Sequence, residues 1–565
     1  MSSDGERFAA LRDAVQAWVS QDPDEVTRAD LVGMLEQAVI GDADAVEELR
    51  DRFHTRLEFG TAGLRGRQAG GPNRMNRVVV AQTAEGLARF LTDSSPSPSI
   101  VIGYDARHNS AQYAQDTAEI MAGHGIETLL LPRPLPTPVL AFAVRSIDRS
   151  AGVMVTASHN PPQDNGYKVY LGGANLGAQI VSPQDALIAA RIDEAASESI
   201  VTYARSEEYS VGGDELVQRY IVRATETHTT DDASLRYVYT AMHGVGWETA
   251  RAVFTRAGFS EPIGVAAQND PDPDFPTVAF PNPEEPGALD LAIRTAADSG
   301  ADLIIANDPD ADRLAVAAPF RDGWRRLTGN EIGALLGWRA AVKHTTTRGR
   351  PAPPAVLATS LVSSPALEAV ARTFGLGYVE TLTGFKWISR VPDLLFGFEE
   401  ALGFLVDPVG VRDKDGITAA REFLALATEL KAGGVSIEES LDRFASLFGG
   451  HASEQVSARV ENISLIAALT ASLRQDPPTQ IGDLAVTGIR DYRDGIDQFP
   501  ASDILRYDLE RGGRVIVRPS GTEPKLKAYI DARSDVGRGD RRRAAAAETA
   551  RYLADAVTVM LSERA

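Results

Sequence analysis

Short apolar runs that end in polar or acidic residues recur along this chain and alternate with alanine-rich stretches, and this alternation constrains the fold more than any other feature. SIVIGYD (99–105), AGVMVTAS (151–158), ADLIIAND (301–308) and GRVIVR (513–518) have the length and β-branched content of buried strands. Between them lie segments such as YAQDTAEIMAGHG (113–125), whose composition and spacing predict helix. Such a chain folds into α/β layers. Residues 1–50 differ: apolar residues at helical spacing (Phe8, Leu11, Val15, Trp18; Leu31, Met34, Leu35) predict helices that precede the first domain. The length of 565 residues predicts three or four domains, and 44% hydrophobic content gives each its own core. Breaks near 205–213, 319–329 and 432–455 are the expected junctions, TTTRGRPAPP (345–354) reads as a surface loop, and no short-period repeat is visible.

Composition narrows the chemistry. No apolar run approaches the ~18–20 residues of a membrane span, and the opening MSSDGERFAALRDAV has acidic residues where a signal peptide needs an apolar core, so a cytoplasmic protein is expected. The absence of cysteine excludes disulfides, thiolate metal sites and thiol catalysis. With 57 Lys plus Arg against 78 Asp plus Glu, the net charge of −21 opposes broad binding to nucleic acid or to an anionic membrane. A basic site for an anionic ligand must therefore be local.

No G-x-S-x-G elbow, Walker loop, H-E-x-x-H or complete dinucleotide glycine fingerprint occurs. Four constellations remain. TASHNPPQDN (156–165) places Ser158 at a strand end, where open α/β sheets bind ligands, although an Asn-Pro turn with a helper serine reads the same residues equally well. His159, adjacent in an extended segment, is expected to project away from Ser158, which leaves Lys168 as the better candidate for proton transfer. In NDPDADR (307–313), Asp308, Asp310 and Asp312 recur at every second position after a strand, a spacing that lets carboxylates converge on one hard cation such as Mg²⁺; a solvated acidic loop is the alternative. RPSGTEPK (518–525) offers Arg518, Ser520, Gly521 and Thr522 as a donor set for phosphate, or else an ordinary β-turn. FGFEEALGF (396–404), with TLTGFKW (381–387) upstream, sets Glu399 and Glu400 among glycines and aromatics, suited to sugar hydroxyls or equally to a surface acid pair beside core phenylalanines.

Taken together, these motifs resemble the α-D-phosphohexomutase superfamily of phosphoglucomutases and phosphomannomutases, in that family's order. FGTAGLRG (59–66) looks like its opening motif, TASHNP its phosphoserine loop, DPDADR its metal loop, FEEALG its sugar loop and RPSGTEPK its phosphate loop; LPTPVL (135–140) and FPNPEEP (280–286) also fit. The resemblance implies four domains around a central cleft, three with related mixed α/β cores and a C-terminal α+β domain. With the N-terminal helical extension at 1–55, the expected bounds are 56–208, 209–324, 325–450 and 451–565. It implies that Ser158 carries a phosphoryl group and completes an Mg²⁺ site with Asp308, Asp310 and Asp312, that Arg65 and Arg313 steady the phosphate, and that Lys168 moves a proton. His159, Thr383, Gly384, Lys386, Glu399, Arg518, Ser520, Gly521 and Thr522 would line the substrate site. A sugar bisphosphate would serve as activator of a monomer or homodimer that converts hexose 1-phosphate to hexose 6-phosphate.

One departure concerns the sugar. Many hexose-specific members have serine two positions after the sugar-loop glutamate and some have histidine shortly beyond, where this chain has Ala401 and Phe404. FGTAGLRG with FEEALG looks more like the branch that contains phosphoglucomutase-2 and phosphopentomutase. Glucose or mannose phosphate ranks first, and pentose phosphate or sugar-bisphosphate synthesis second. A metal-dependent phosphatase using an aspartate of DPDADR, or a non-catalytic sugar-phosphate sensor, stands as the alternative of another class.

Overall fold

Asp24 and Asp42 each start a helix by accepting otherwise unpaired backbone N–H groups, from Val26 in one case and from Asp44 and Ala45 in the other. The chain accordingly opens with helices Ser3–Gln21, Glu25–Val39 and Ala43–His54, as the apolar spacing predicts. They are not separate from the first domain: Val15, Trp18, Leu31 and Leu49 join the same buried cluster as Ile100, Val153 and Val169 of its sheet. The computed structural model describes residues 3–60, 63–226, 230, 232, 234–346, 353–459, 463–496, 499–519 and 525–564. Among the described residues no helix is long and apolar enough to cross a membrane. The chain divides into two compact units, Met1–Ala317 with Gly403–Ala425, and Ala318–Leu402 with Leu426–Ala565.

In the first unit a seven-stranded sheet runs in the order Leu64–Arg67, Asp164–Leu171, Ala151–Val155, Ser99–Tyr104, Glu127–Leu130, Ser210–Val211, with Ala178–Gln179 beside Asp164–Leu171. Ser99–Tyr104 is parallel to both neighbours, and Asp164–Leu171 antiparallel to both of the strands that flank it. Ala151–Val155 is buried along its whole length, as its unbroken apolar sequence requires of an interior strand. The expected junction at 205–213 contributes the edge strand Ser210–Val211. A second sheet sets Leu303–Ala306 between Tyr237–Thr240, parallel to it, and Ala315–Phe320, antiparallel. The carboxyl ends of Ala151–Val155 and Leu303–Ala306 lead directly into TASHNP and NDPDADR.

The second unit holds the parallel strands Gly377–Thr381, Val356–Ser360 and Leu394–Glu399. Its other sheet is antiparallel and six-stranded, in the order Gly450–Arg459, Lys525–Ser534, Arg514–Pro519, Leu505–Leu509, Leu484–Asp491, Gln480–Ile481. Helix Asp540–Arg564 closes its core with Leu553, Val557 and Leu561. The stretch 432–455, one of the expected junctions, is folded along most of its length. Gly434, at φ 65°, lies just beyond helix Gly416–Ala432, and Ser436 and Glu439 form a capping box that opens helix Ile437–Phe448. Its polar, glycine-rich sequence is the chemistry of one helix stopping and the next starting.

A buried ion network ties these two sheets together. Arg514, 3% exposed, reaches Glu380 Oε1 and Asp531 Oδ2, each at 2.6 Å, while Arg506 holds the other Glu380 oxygen at 2.9 Å. Removing one partner of such a set strands the others without compensation. Arg514→Ala is therefore expected to destabilise the protein by about 3–5 kcal/mol, read as a lowered urea midpoint; an unchanged midpoint would mean that the network contributes nothing to stability.

Candidate active site

Ser158 leaves the sheet in a left-handed conformation, φ 54°, which residues other than glycine adopt only when their surroundings hold them there. It is buried, and its Oγ donates to Asp308 Oδ2 at 2.9 Å. His159 Nδ1 lies 3.2 Å from the same Oγ, which corrects the expectation that this side chain projects away. That expectation assumed extended backbone, and the left-handed turn at Ser158 breaks the alternation. With the hydroxyl proton committed to Asp308, His159 meets Oγ as an Nδ1–H donor. Burial, with Arg313 and Arg65 adding to it, holds the imidazole well below its usual pKa, so it is neutral.

Asp308, Asp310 and Asp312 are fully buried, and one oxygen from each lies within 4.8 Å of the others. Lys168, on the antiparallel strand Asp164–Leu171, bridges Asp310 Oδ2 at 2.7 Å and Asp312 Oδ2 at 2.8 Å. Burial and repulsion by its two neighbours push Asp308 up to about 8. Burial acts on the other two as well, but Lys168 beside both, and Lys414 beside Asp312, hold them below the usual carboxylate range. In return, although burial opposes its charge, Asp310 and Asp312 raise Lys168 above the ordinary lysine value. Asp310 Oδ1 and Asp312 Oδ1 are buried and accept no hydrogen bond. Hard oxygen donors of this kind, converging with unused lone pairs, fit a divalent cation such as Mg²⁺.

The two arginines expected here lie near the cluster. Arg313 has Nε 3.8 Å from Asp308 Oδ2 and Nη1 3.8 Å from Glu284 Oε2 of FPNPEEP, and Arg65 Nη1 donates to Asn160 Oδ1 at 3.0 Å. Three further residues escaped sequence reasoning. Thr137 of LPTPVL donates its hydroxyl to Asp310 Oδ2 at 2.6 Å and its N–H to Asp310 O at 2.9 Å. Lys414 Nζ lies 3.2 Å from Asp312 Oδ2. Arg107 grips the serine loop through its carbonyls. The alternation of charges in VRDKDG (411–416) was the one available signal for Lys414.

The sugar-loop residues lie in the second unit. Glu399 Oε1 accepts from Gly384 N at 2.6 Å, and Gly384 sits at φ 112°, a backbone that favours glycine. Arg518 Nη1 donates to Thr383 Oγ1 at 2.5 Å, and Lys386 Nζ is 5.8 Å from the Trp387 ring centroid. Thr383, Gly384, Glu399 and Arg518 are thereby brought together, with Lys386 on the short helix Phe385–Ile388 immediately after them. Glu400 is engaged elsewhere: its Oε2 accepts from Ser363 Oγ at 2.8 Å and Ser360 Oγ at 3.3 Å. Ser520, Gly521 and Thr522 lie outside the described residues.

The phosphoglucomutase/phosphomannomutase α/β/α domains I, II and III match residues 56–199, 218–319 and 328–447, and the C-terminal domain of the same family matches residues 464–549. The chain belongs to the phosphoglucomutase/phosphomannomutase family. The mutase has the family's four-domain α/β fold and is an intramolecular phosphotransferase. A Haemophilus influenzae protein named "Probable phosphomannomutase" is 54% identical to it over 460 residues, 81% of this chain and 93% of that one. The Mus musculus phosphopentomutase is 36% identical over 543 residues, 87% of this chain and 86% of that one. A Burkholderia thailandensis protein of the phosphoglucomutase/phosphomannomutase family shares the fold, with a TM-score of 0.66 at 20% identity over 88% of this chain and 97% of that one.

Thr137 offers a test of the acid cluster that does not depend on turnover. Outer partners of metal ligands are worth roughly 10–100-fold in metal affinity, so Thr137→Val should weaken Mg²⁺ binding to the mutase by that order in calorimetry. Because Asp308 must shed a proton held up to about 8, binding should also tighten as pH rises toward that value. Equal affinity in the variant, or affinity independent of pH, would separate the cation from these carboxylates.

Proposed function

We propose that the mutase interconverts hexose 1-phosphate and hexose 6-phosphate, of glucose or mannose, with Ser158 as the phosphoryl carrier. The observation that supports this most directly is the Ser158 hydroxyl on Asp308 of a buried carboxylate triad, 2.9 Å away. In this reading the phosphoryl group passes from Ser158 to the free hydroxyl of a sugar monophosphate, so that the Oγ–P bond breaks as the sugar O–P bond forms. The resulting bisphosphate turns over, and Ser158 takes the other phosphoryl group back. Added sugar bisphosphate would prime the unphosphorylated serine and so act as activator. Asp308, Asp310 and Asp312 would hold Mg²⁺ together with an oxygen at Ser158. The bound ion supplies neutralisation of phosphate charge, the main demand of in-line transfer.

The protein's own groups divide the remaining work. Arg65, which donates to Asn160 of the serine loop, and Arg313, beside Asp308, steady the phosphate. Neutral His159 donates to Ser158 Oγ. Lys168 moves the proton at the sugar hydroxyl: held between Asp310 and Asp312 it is a proton donor, and it becomes a base only when those carboxylates are otherwise engaged. Arg518, with Ser520, Gly521 and Thr522, would grip the phosphate distal to Ser158, while Thr383, Gly384, Lys386 and Glu399 receive the sugar. Removing one oxygen atom by Ser158→Ala should abolish turnover and leave folding and substrate binding largely intact. Near-normal turnover in a coupled assay would reject Ser158 as carrier.

Ala401 favours pentose phosphate as a second substrate class, and the mouse relative's name points the same way. An apolar wall rejects a missing group less strongly than an unpaired polar partner does. Ribose 1-phosphate should therefore be turned over measurably beside glucose and mannose 1-phosphates. Ala401→Ser should raise the hexose-to-pentose ratio of kcat/KM by at most about 1–3 kcal/mol. An unchanged ratio in a folded variant would show that Ala401 does not face the sugar.

A further inference from the structure

We propose that Arg107 is a positioning residue for phosphoryl transfer, its guanidinium fixing the backbone that aims Ser158. The inference rests on the assignment of Ser158 as carrier. Arg107 lies just beyond strand Ser99–Tyr104 and is 4% exposed. Its Nη2 donates to Ser158 O at 2.6 Å and Asn160 O at 2.7 Å, and its Nη1 to Pro161 O at 2.8 Å and Asp164 O at 3.2 Å. Four of the five N–H donors of an arginine are thus committed to carbonyls of one loop. The remaining Nε lies 3.3 Å from Asp105 Oδ2 without a hydrogen bond, so Asp105 supplies charge while the loop takes the donors.

The loop needs such a partner for two reasons. It holds Pro161 and Pro162, which have no N–H, so fewer internal donors are available to its converging carbonyls. It also holds Ser158 in a left-handed conformation, which relaxes unless something restrains the adjoining peptide. Ser158 O is one of the four carbonyls gripped, so a rotation of that peptide that moved Oγ off Asp308 would break the bond to Arg107 as well. The guanidinium is itself braced, lying 5.0 Å from the ring centroid of Phe275, while the neighbouring His108 Nε2 pairs with Asp274 Oδ1 at 2.8 Å. A lysine would keep the charge but not the planar fork that reaches four separate carbonyls.

The test is the single-turnover rate constant for phosphorylation of Ser158 by glucose 1,6-bisphosphate, monitored by intact-protein mass and peptide mapping. In that step the Oγ–P bond forms, a sugar O–P bond breaks and the hydroxyl proton passes to the sugar oxygen. A rate constant does not depend on the fraction of protein folded, so a merely structural loss would lower the amplitude instead. A misplacement of about 1 Å can slow transfer by about 100-fold, and Arg107→Lys is expected to show a loss of that order with full final stoichiometry. Phe275→Leu, which removes only the brace, should show a smaller loss in the same direction. A rate constant indistinguishable from wild type in Arg107→Lys overturns the inference; should that variant not fold, the same result in Phe275→Leu overturns it. If the wild-type phosphate maps to a residue other than Ser158, the carrier assignment itself fails and this inference with it.

Discussion

Three carboxylates buried within 4.8 Å of one another repel strongly, and the surroundings of Asp308, Asp310 and Asp312 are organised around that repulsion. Lys168 arrives from the antiparallel strand of the first sheet, Lys414 from the returning segment 403–425, and Arg313 from the end of the acidic loop itself. These come from three distant stretches of chain. The same cluster accepts Ser158 and Thr137, both from the first sheet's side, onto a loop carried by the second. One electrostatic problem and its solution therefore join the serine loop, the acid loop and the returning segment into one arrangement. Each cation that neutralises the acids is also a group that phosphoryl chemistry can use.

The second unit meets a similar demand with a different ion set. Arg514 and Arg518 lie on one strand, Arg514–Pro519, and Glu380 lies on the strand that leads to Thr383 and Gly384. Pairing Arg514 with Glu380 ties these two strands, which belong to different sheets, to one another. Near the end of its strand Arg518 meets Thr383, just past strand Gly377–Thr381, and Gly384 meets Glu399 of strand Leu394–Glu399. The buried salt bridge sets the spacing on which the sugar-loop contacts depend. Such sets are retained only when every member is partnered, since a lone buried charge is far more destabilising than an apolar replacement.

Much of this was legible in one dimension because it depends on local pattern. Interior strands such as Ala151–Val155 and Leu303–Ala306 are buried on both faces and read as unbroken apolar runs; the N-terminal helices read through apolar spacing, and the acid loop through its every-second aspartate. Where local pattern misled, the reason is physical. Helix caps and linkers share glycine and serine, so the composition of 432–455 gave no sign of helix Ile437–Phe448 within it. His159 looked remote from Ser158 because one left-handed residue, invisible in composition, reverses the direction of its side chain.

The sequence by itself determined the α/β layers, the strand ends at which the serine and the aspartates stand, and the family to which their order belongs. Those features arise from periodicity and from short motifs whose residues act together along the chain. Only the tertiary structure decided which cations answer the buried acids, that Thr137 and Lys414 belong to the cluster, that Glu399 rather than Glu400 turns to Gly384, and that Arg107 holds the serine loop by its carbonyls. A buried charge takes its partner from whatever the fold brings near. Residues more than a hundred positions apart thus become neighbours for reasons that no window of sequence contains.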